Sequence, residues 1–245
     1  MNEVNFDEAY TLKNLNGSLI ITDNKISNIS VFANFNDSKN INFSVNTNSN
    51  GQKITKLYSS KAKPFVKKYK FIKGFEEGYL ELNSIKENGK SVSNLKINKF
   101  KLKEIPTLTK LLSLASLQGI ADTLTGEGIR FDEFEMKFNN EDDIMRIEEI
   151  YAIGPAISIL MNGYIEQNKL ISLRGTLVPA TTINNSISKI PLLGKILVGD
   201  KTGEGVFGVS FKIKGPPKDL KTTVNPIKTL TPRFITRTLD KLKKN

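Results

Sequence analysis

The chain has 245 residues, of which 38% are hydrophobic, and carries 36 Lys and Arg against 25 Asp and Glu for a formal net charge of +11. Length and apolar content suffice for a folded core rather than a disordered polypeptide. It contains no Cys and no His, which removes disulfides, thiolate metal sites and the commonest general base, and no run reaches the 18 or so apolar residues that a membrane-spanning helix needs.

The N-terminal stretch from Met1 to Glu8 is acidic and polar, without the basic and apolar regions of a secretory signal, so export is expected to depend on a segment outside this chain. Beyond it the sequence alternates with period two, the mark of half-buried strands. Ile29, Val31, Ala33 and Phe35 share one face, as do Ile41, Phe43 and Val45. Residues 1–60 read as the tail of a preceding β repeat and residues 61–245 as the main domain, with one continuous sheet running through both. Pro64 then opens a short helix carrying Phe65, Tyr69 and Ile72, before Glu-Glu-Gly78 and a strand from Tyr79. Pro106 precedes Leu108, Leu111, Leu112 and Ala115 at helical spacing, and Thr-Gly-Glu-Gly128 leads into a strand from Ile129.

Between Phe131 and Phe134 the apolar parity flips, which predicts a bulge near Asp132 and Glu133 and hence a curved sheet. Asn139-Asn140 begins a predicted hairpin turn. Period-two runs follow at Ile157, Ile159, Met161, Gly163 and Ile165, then at Ile171, Leu173, Gly175 and Leu177. A third helical stretch through Ile183, Ile187 and Ile190 leads past Pro191 to a second Thr-Gly-Glu-Gly turn at Gly205, and Phe207, Val209, Phe211 and Ile213 form the cleanest strand of all. The expected fold is mainly β with short α-helices: a curved, twisted antiparallel sheet shaped like a groove, with helices near 62–72, 107–123, 182–190 and 232–243 plugging or capping it.

Motifs that suggest chemistry have plainer readings. The Thr-Gly-Glu-Gly turns lead into strands, whereas phosphate loops lead into helices and end in Gly-Lys-Ser/Thr, so these glycines are read as turn residues needing positive φ. Nine carboxylates lie between Glu127 and Glu149, but the Asp-x-Asp-x-Asp-Gly calcium pattern is absent. No Gly-x-Ser-x-Gly elbow exists and there is no His to activate a serine. Neither an enzyme nor a bound cofactor is expected. Two basic stretches stand out, eight Lys without an acid from Lys53 to Lys73 and ten basic residues against two acids from Lys212 to Lys244. A nucleic-acid reader would add a recognition helix or an aromatic-and-basic strand motif, which this chain lacks; an anionic membrane surface remains open as a partner.

Several ordered segments carry a resemblance. Leu108 to Asp132, Gly175-Thr-Leu-Val-Pro-Ala180, Ile190-Pro-Leu-Leu-Gly-Lys-Ile-Leu-Val-Gly199, Gly203-Glu-Gly-Val-Phe-Gly-Val-Ser-Phe-Lys-Ile-Lys-Gly215, Val224-Asn-Pro226 and Thr231-Pro-Arg-Phe234 together resemble the C-terminal regions of AsmA-like proteins of the YhdP type. The resemblance covers roughly residues 60–238. It implies a repeating β-groove protein of the Gram-negative envelope, anchored in the inner membrane and periplasmic, which shields phospholipid tails between inner and outer membrane. It also implies that an N-terminal anchor and further β repeats lie outside this chain. A phospholipid with on the order of 30 tail methylenes costs on the order of 20 kcal/mol to expose fully, at roughly 0.8 kcal/mol per CH₂, so continuous apolar shielding is a physical requirement of such transport.

On this reading Ile157, Ile159, Met161, Phe207, Val209, Phe211 and Ile213 line the lipid groove, with Ser158, Asn162, Ser210, Lys212 and Lys214 facing water. Leu111, Leu112 and Ala115 close one end, and Arg233, Phe234, Arg237 and Lys241 of a basic C-terminal helix contact a membrane or partner. The alternative is a non-transporting scaffold or terminal cap that docks onto a membrane or envelope protein. Alternation is the same for an open groove and a filled core, so the sequence leaves both open.

Overall fold

The computed structural model describes residues 3–7, 9–22, 24–37, 39–66, 74–179 and 208–227. Thirteen strands follow in chain order: β1 (Glu3–Asp7), β2 (Tyr10–Thr22), β3 (Lys25–Phe35), β4 (Asn40–Thr47), β5 (Lys53–Ser59), β6 (Gly74–Glu87), β7 (Lys90–Lys103), β8 (Ile129–Glu141), β9 (Ile144–Ile153), β10 (Ile157–Glu166), β11 (Leu170–Pro179), β12 (Gly208–Gly215) and β13 (Lys221–Ile227). Each pairs antiparallel with its sequence neighbours, giving one open, curled sheet whose spatial order is the chain order. Three short helices, α1 (Lys63–Val66), α2 (Pro106–Leu114) and α3 (Gln118–Thr125), occupy the connections at one end. The boundary expected near residue 60 falls between β5 and β6, which are hydrogen-bonded to each other from Lys53↔Lys86 to Ser59↔Leu80.

The two ends of the sheet differ because the connections differ. At the end away from the helices the strands turn back within a few residues, and residues tolerant of positive φ make this possible. Asn88 and Gly89 both have positive φ, the type I′ pattern that matches strand twist. The β8–β9 and β10–β11 turns each use a single positive-φ residue, Asp142 (φ +51°) and Asn168 (φ +59°). The turn expected at Asn139-Asn140 therefore lies at Asp142-Asp143, and both asparagines are strand residues paired with β9.

The parity flip in β8 has a different cause from the expected bulge. The register between β7 and β8 is the same on both sides of it, from Leu102↔Ile129 to Ser91↔Asn140. Three strands flip together along one line: Gly78 (φ +78°) in β6 lies across from Lys99 (φ +53°) in β7, which lies across from Asp132 in β8, and none of the three takes part in the ladder. Phe75 and Leu80, Ile97 and Phe100, and Phe131 and Phe134 consequently all reach the same apolar cluster although their spacing breaks period two. Register does shift at Lys137/Phe138, in the pairing with β9. Gly78 thus sits inside a strand that begins at Gly74, five residues before Tyr79.

The helix expected over 107–123 is two helices. Pro106 starts α2 at a position where a missing N–H costs nothing, but Ser116 takes φ +60° and breaks the run. Leu117 N–H returns to the Leu112 carbonyl at 2.9 Å, closing the end of α2. Both helices then turn Leu111, Leu112, Ala121 and Leu124 into the cluster. The helix opened by Pro64 is seen as Lys63–Val66; the rest of that stretch, and the helices expected over 182–190 and 232–243, lie outside the described residues.

Candidate functional site

The apolar residues of successive strands fall into register as a lane that crosses the sheet. From β2 to β7 the partners run Gly17, Val31, Phe43, Leu57, Leu82 and Leu95. From β8 to β13 they continue as Met136, Ile150, Met161, Gly175, Phe211 and Val224. Not one of these twelve positions is polar. At the usual strand spacing of about 4.8 Å the lane is about 50 Å long. A flanking row on the helix side runs Ala33, Ile41, Ser59, Leu80, Ile97, Phe134, Ala152, Ile159, Leu177 and Val209. Its one polar member, Ser59, donates its hydroxyl to the Lys61 carbonyl at 2.8 Å.

Burial along the lane is uneven: Ile150 and Phe211 are buried, Gly17 is exposed and the other nine positions are half-buried. Phe211 is 4% exposed, with its strand neighbours Val209 at 1% and Ile213 at 8%, and Ile157, Ile159 and Leu177 are buried beside them. From β3 to β8 the lane residues Val31, Phe43, Leu57, Leu82, Leu95 and Met136 are half-buried. On β2, Leu19 in the row beside the lane is 57% exposed, and Ile21, past a register shift, is 60% exposed. The flanking row is buried nearly throughout, so the lane has a closed side toward the helices and a wetter side toward the hairpins.

Two structural causes produce the closed end. Helix α2 packs against β13 while α3 packs against β7 and β8, so the helix pair spans the inside of the curl. Three phenylalanines support it: Phe75, Phe100 and Phe131 stack in sequence with centroids 5.2 and 5.3 Å apart and planes 11° apart. The second cause is glycine. Gly163 and Gly175 put no side chain on the inner face, and a Cβ on Gly175 would meet Met161 Cβ at 2.6 Å and Phe211 Cζ at 2.7 Å. The strands therefore approach more closely there than larger residues would permit.

Of the residues expected to line a groove, Ile157, Ile159, Phe211 and Ile213 belong to the buried cluster, Met161 packs partly exposed against it, and Val209 is buried outside it. Leu111 and Leu112 are in the same cluster, and Ala115 is half-buried. Phe207, and Arg233, Phe234, Arg237 and Lys241, lie outside the described residues. Lys212, Lys214 and Asn162 are exposed as expected, but Ser158 is 2% exposed. Its partners on the outer face, Ile153 and Val178, are apolar and buried too, so that face is not uniformly wet.

The lane residues Leu57, Leu82, Leu95 and Met136 were not expected on a groove from the sequence, and Phe43 was read only as one face of a strand. Their signal lay in the turns, since a two-residue turn at Asn88-Gly89 sets Leu82 across from Leu95. In the acidic segment Glu141 pairs with Lys90 at 2.7 Å and Glu135 with Lys137 at 3.8 Å, while its Arg130 donates two hydrogen bonds of 2.9 and 3.2 Å to Glu77 of β6. The Arg130 guanidinium holds the Glu77 carboxyl below the ordinary carboxylate range.

No family model, no curated protein and no solved structure matches the chain.

Proposed function

We propose that this chain shields the acyl tails of a phospholipid on the inner face of its curled sheet, with the wetter part of the lane from β2 to β8 as the lipid-facing stretch and the β9–β13 end closed by α2 and α3. The single observation that carries this reading is the unbroken apolar register of the lane, which is buried at Ile150 and Phe211 and partly exposed from Val31 to Met136. A core of ordinary globular kind closes over its apolar face, whereas large contiguous exposed apolar surface marks an interaction site. An acyl tail laid across the strands exchanges water contact for apolar contact at about 25 cal/mol per Å². The resemblance to AsmA-like C-terminal regions supports the same ligand class, an envelope location and continuation of the sheet beyond this chain. Among the described residues no helix is long and apolar enough to cross a membrane.

Native mass spectrometry of the purified chain tests this directly. Retained phospholipid is expected, and Leu95→Glu or Met136→Glu lowers its occupancy at least about tenfold while circular dichroism keeps its β signature. Absence of lipid from the wild type, together with absence of transfer between labelled vesicles, would overturn the reading.

A second reading is favoured by the burial of Ile157, Phe211 and Ile213 in one cluster with the helices: this is a terminal cap that ends a groove and docks onto an envelope partner. Photo-crosslinkers placed at Leu95 and Met136 that capture protein and never a lipid analogue would select it.

A further inference from the structure

The outer face of β10–β13 holds a polar array that the apolar lane does not use. Asn162 lies across from Arg174, Arg174 across from Lys212, and Lys212 across from Thr223. Two cations directly opposite on neighbouring strands repel each other and destabilise the pair. Among the described residues neither Arg174 nor Lys212 has a carboxylate partner. Arg174 Nε donates to Asn162 Oδ1 at 3.0 Å, which orients the guanidinium and leaves its terminal amino groups unpaired among those residues. These four side chains, with Ser210 and Asn225, border a depression of about 330 Å³.

We infer that this depression binds a phosphate-type anion, either free or carried on a lipid headgroup, bridged between Arg174 and Lys212. A guanidinium matches two phosphate oxygens at once, and an adjacent ammonium supplies a point charge to a third. Thr223 adds a neutral hydroxyl donor at the rim. An anion placed there converts the repulsion between Arg174 and Lys212 into two attractions, which explains how a sheet tolerates the pair. The site lies on the face opposite the apolar lane, so it stands or falls independently of tail shielding.

Inorganic phosphate is the probe, titrated against chloride at matched ionic strength while the arginine Nε–H and the backbone amide resonances are followed by NMR. Saturating shifts at Arg174 Nε–H and at the backbone amides of β11 and β12 are expected, and those amides, present in every variant, read an apparent Kd at least about tenfold weaker in the double variant Arg174→Gln, Lys212→Gln. Both positions are exposed, so the variant keeps its Tm; should it not, Lys212→Gln alone carries the comparison. No shift, a shift equal in chloride, or an unchanged Kd in the variants would overturn the site. Co-pelleting with phosphatidylglycerol vesicles then names the source. Pelleting that phosphate competes away and the double variant lacks identifies a headgroup; pelleting insensitive to both identifies free phosphate as the ligand of this depression.

Discussion

The Phe211 ring occupies the space that a side chain on Gly175 would fill, directly across the β11–β12 ladder. An aromatic ring covering a strand glycine restores the contact that the glycine lacks and holds the neighbouring strands in a tight curve. Gly175→Ala is expected to cost about 1–3 kcal/mol through overpacking, because the new methyl meets Met161, Phe211 and the Leu160 carbonyl together. Urea denaturation reads the loss directly. Adding Phe211→Leu should recover only part of it, since the backbone contact persists; full recovery would show that the ring alone sets the curvature.

Val209 is 1% exposed and sits in register between Leu177 and Pro226. Neither ladder partner carries a charge to pair with a carboxylate there, so Val209→Glu is expected to destabilise by about 4 kcal/mol. Phe211→Asp should behave alike. Met136→Glu, on the half-buried stretch of the lane, should lower Tm far less because its charge reaches water. Equal losses at Val209 and Met136 would mean that the lane is closed along its whole length.

Phe100 stacks on Phe75 and Phe131 and meets Phe134 edge-on at 6.5 Å. Removing the central ring breaks three contacts and leaves a cavity beneath the helices, so Phe100→Ala is expected to cost about 3–5 kcal/mol. Calorimetry checks it, and a loss under about 1 kcal/mol would show that the helices settle into the gap.

Glu77 is held below the ordinary carboxylate range by the hydrogen bonds of Arg130. A folded-state value below the unfolded one contributes stability at neutral pH, and that contribution is lost as pH falls through the folded value. Glu77→Gln should therefore lower the urea midpoint slightly at neutral pH, and the difference from wild type should vanish as pH falls through the folded value. The pair is exposed, so added salt should shrink the neutral-pH difference.

The sheet, its antiparallel order and its curl were readable from the alternation at Ile29–Phe35, Ile157–Met161 and Val209–Ile213, because one side of each of these strands meets the apolar cluster. The line through Gly78, Lys99 and Asp132 was not. A single sequence shows one strand changing parity, and only the pairing shows that three change it in step without losing register. Ser158 was misjudged for a related reason: polarity reports a preference for water, and the apolar partners Ile153 and Val178 override it. The lane itself required register across eleven ladders, which no local pattern of residues contains.

Because spatial order equals chain order throughout the sheet, no strand is clamped between partners distant in sequence. Tension applied at residues 3 and 227 therefore loads the outermost ladders first and peels the sheet one strand at a time, as a zipper opens, rather than shearing it as a block. Optical-trap extension should give a sawtooth of small steps from β1–β5, followed by one larger event when the layer containing α2, α3 and the stacked phenylalanines gives way. The same connectivity confines most of each strand's contribution to its two neighbours, so loss of an edge strand leaves the remainder folded, in the manner of a stack built from adjacent units.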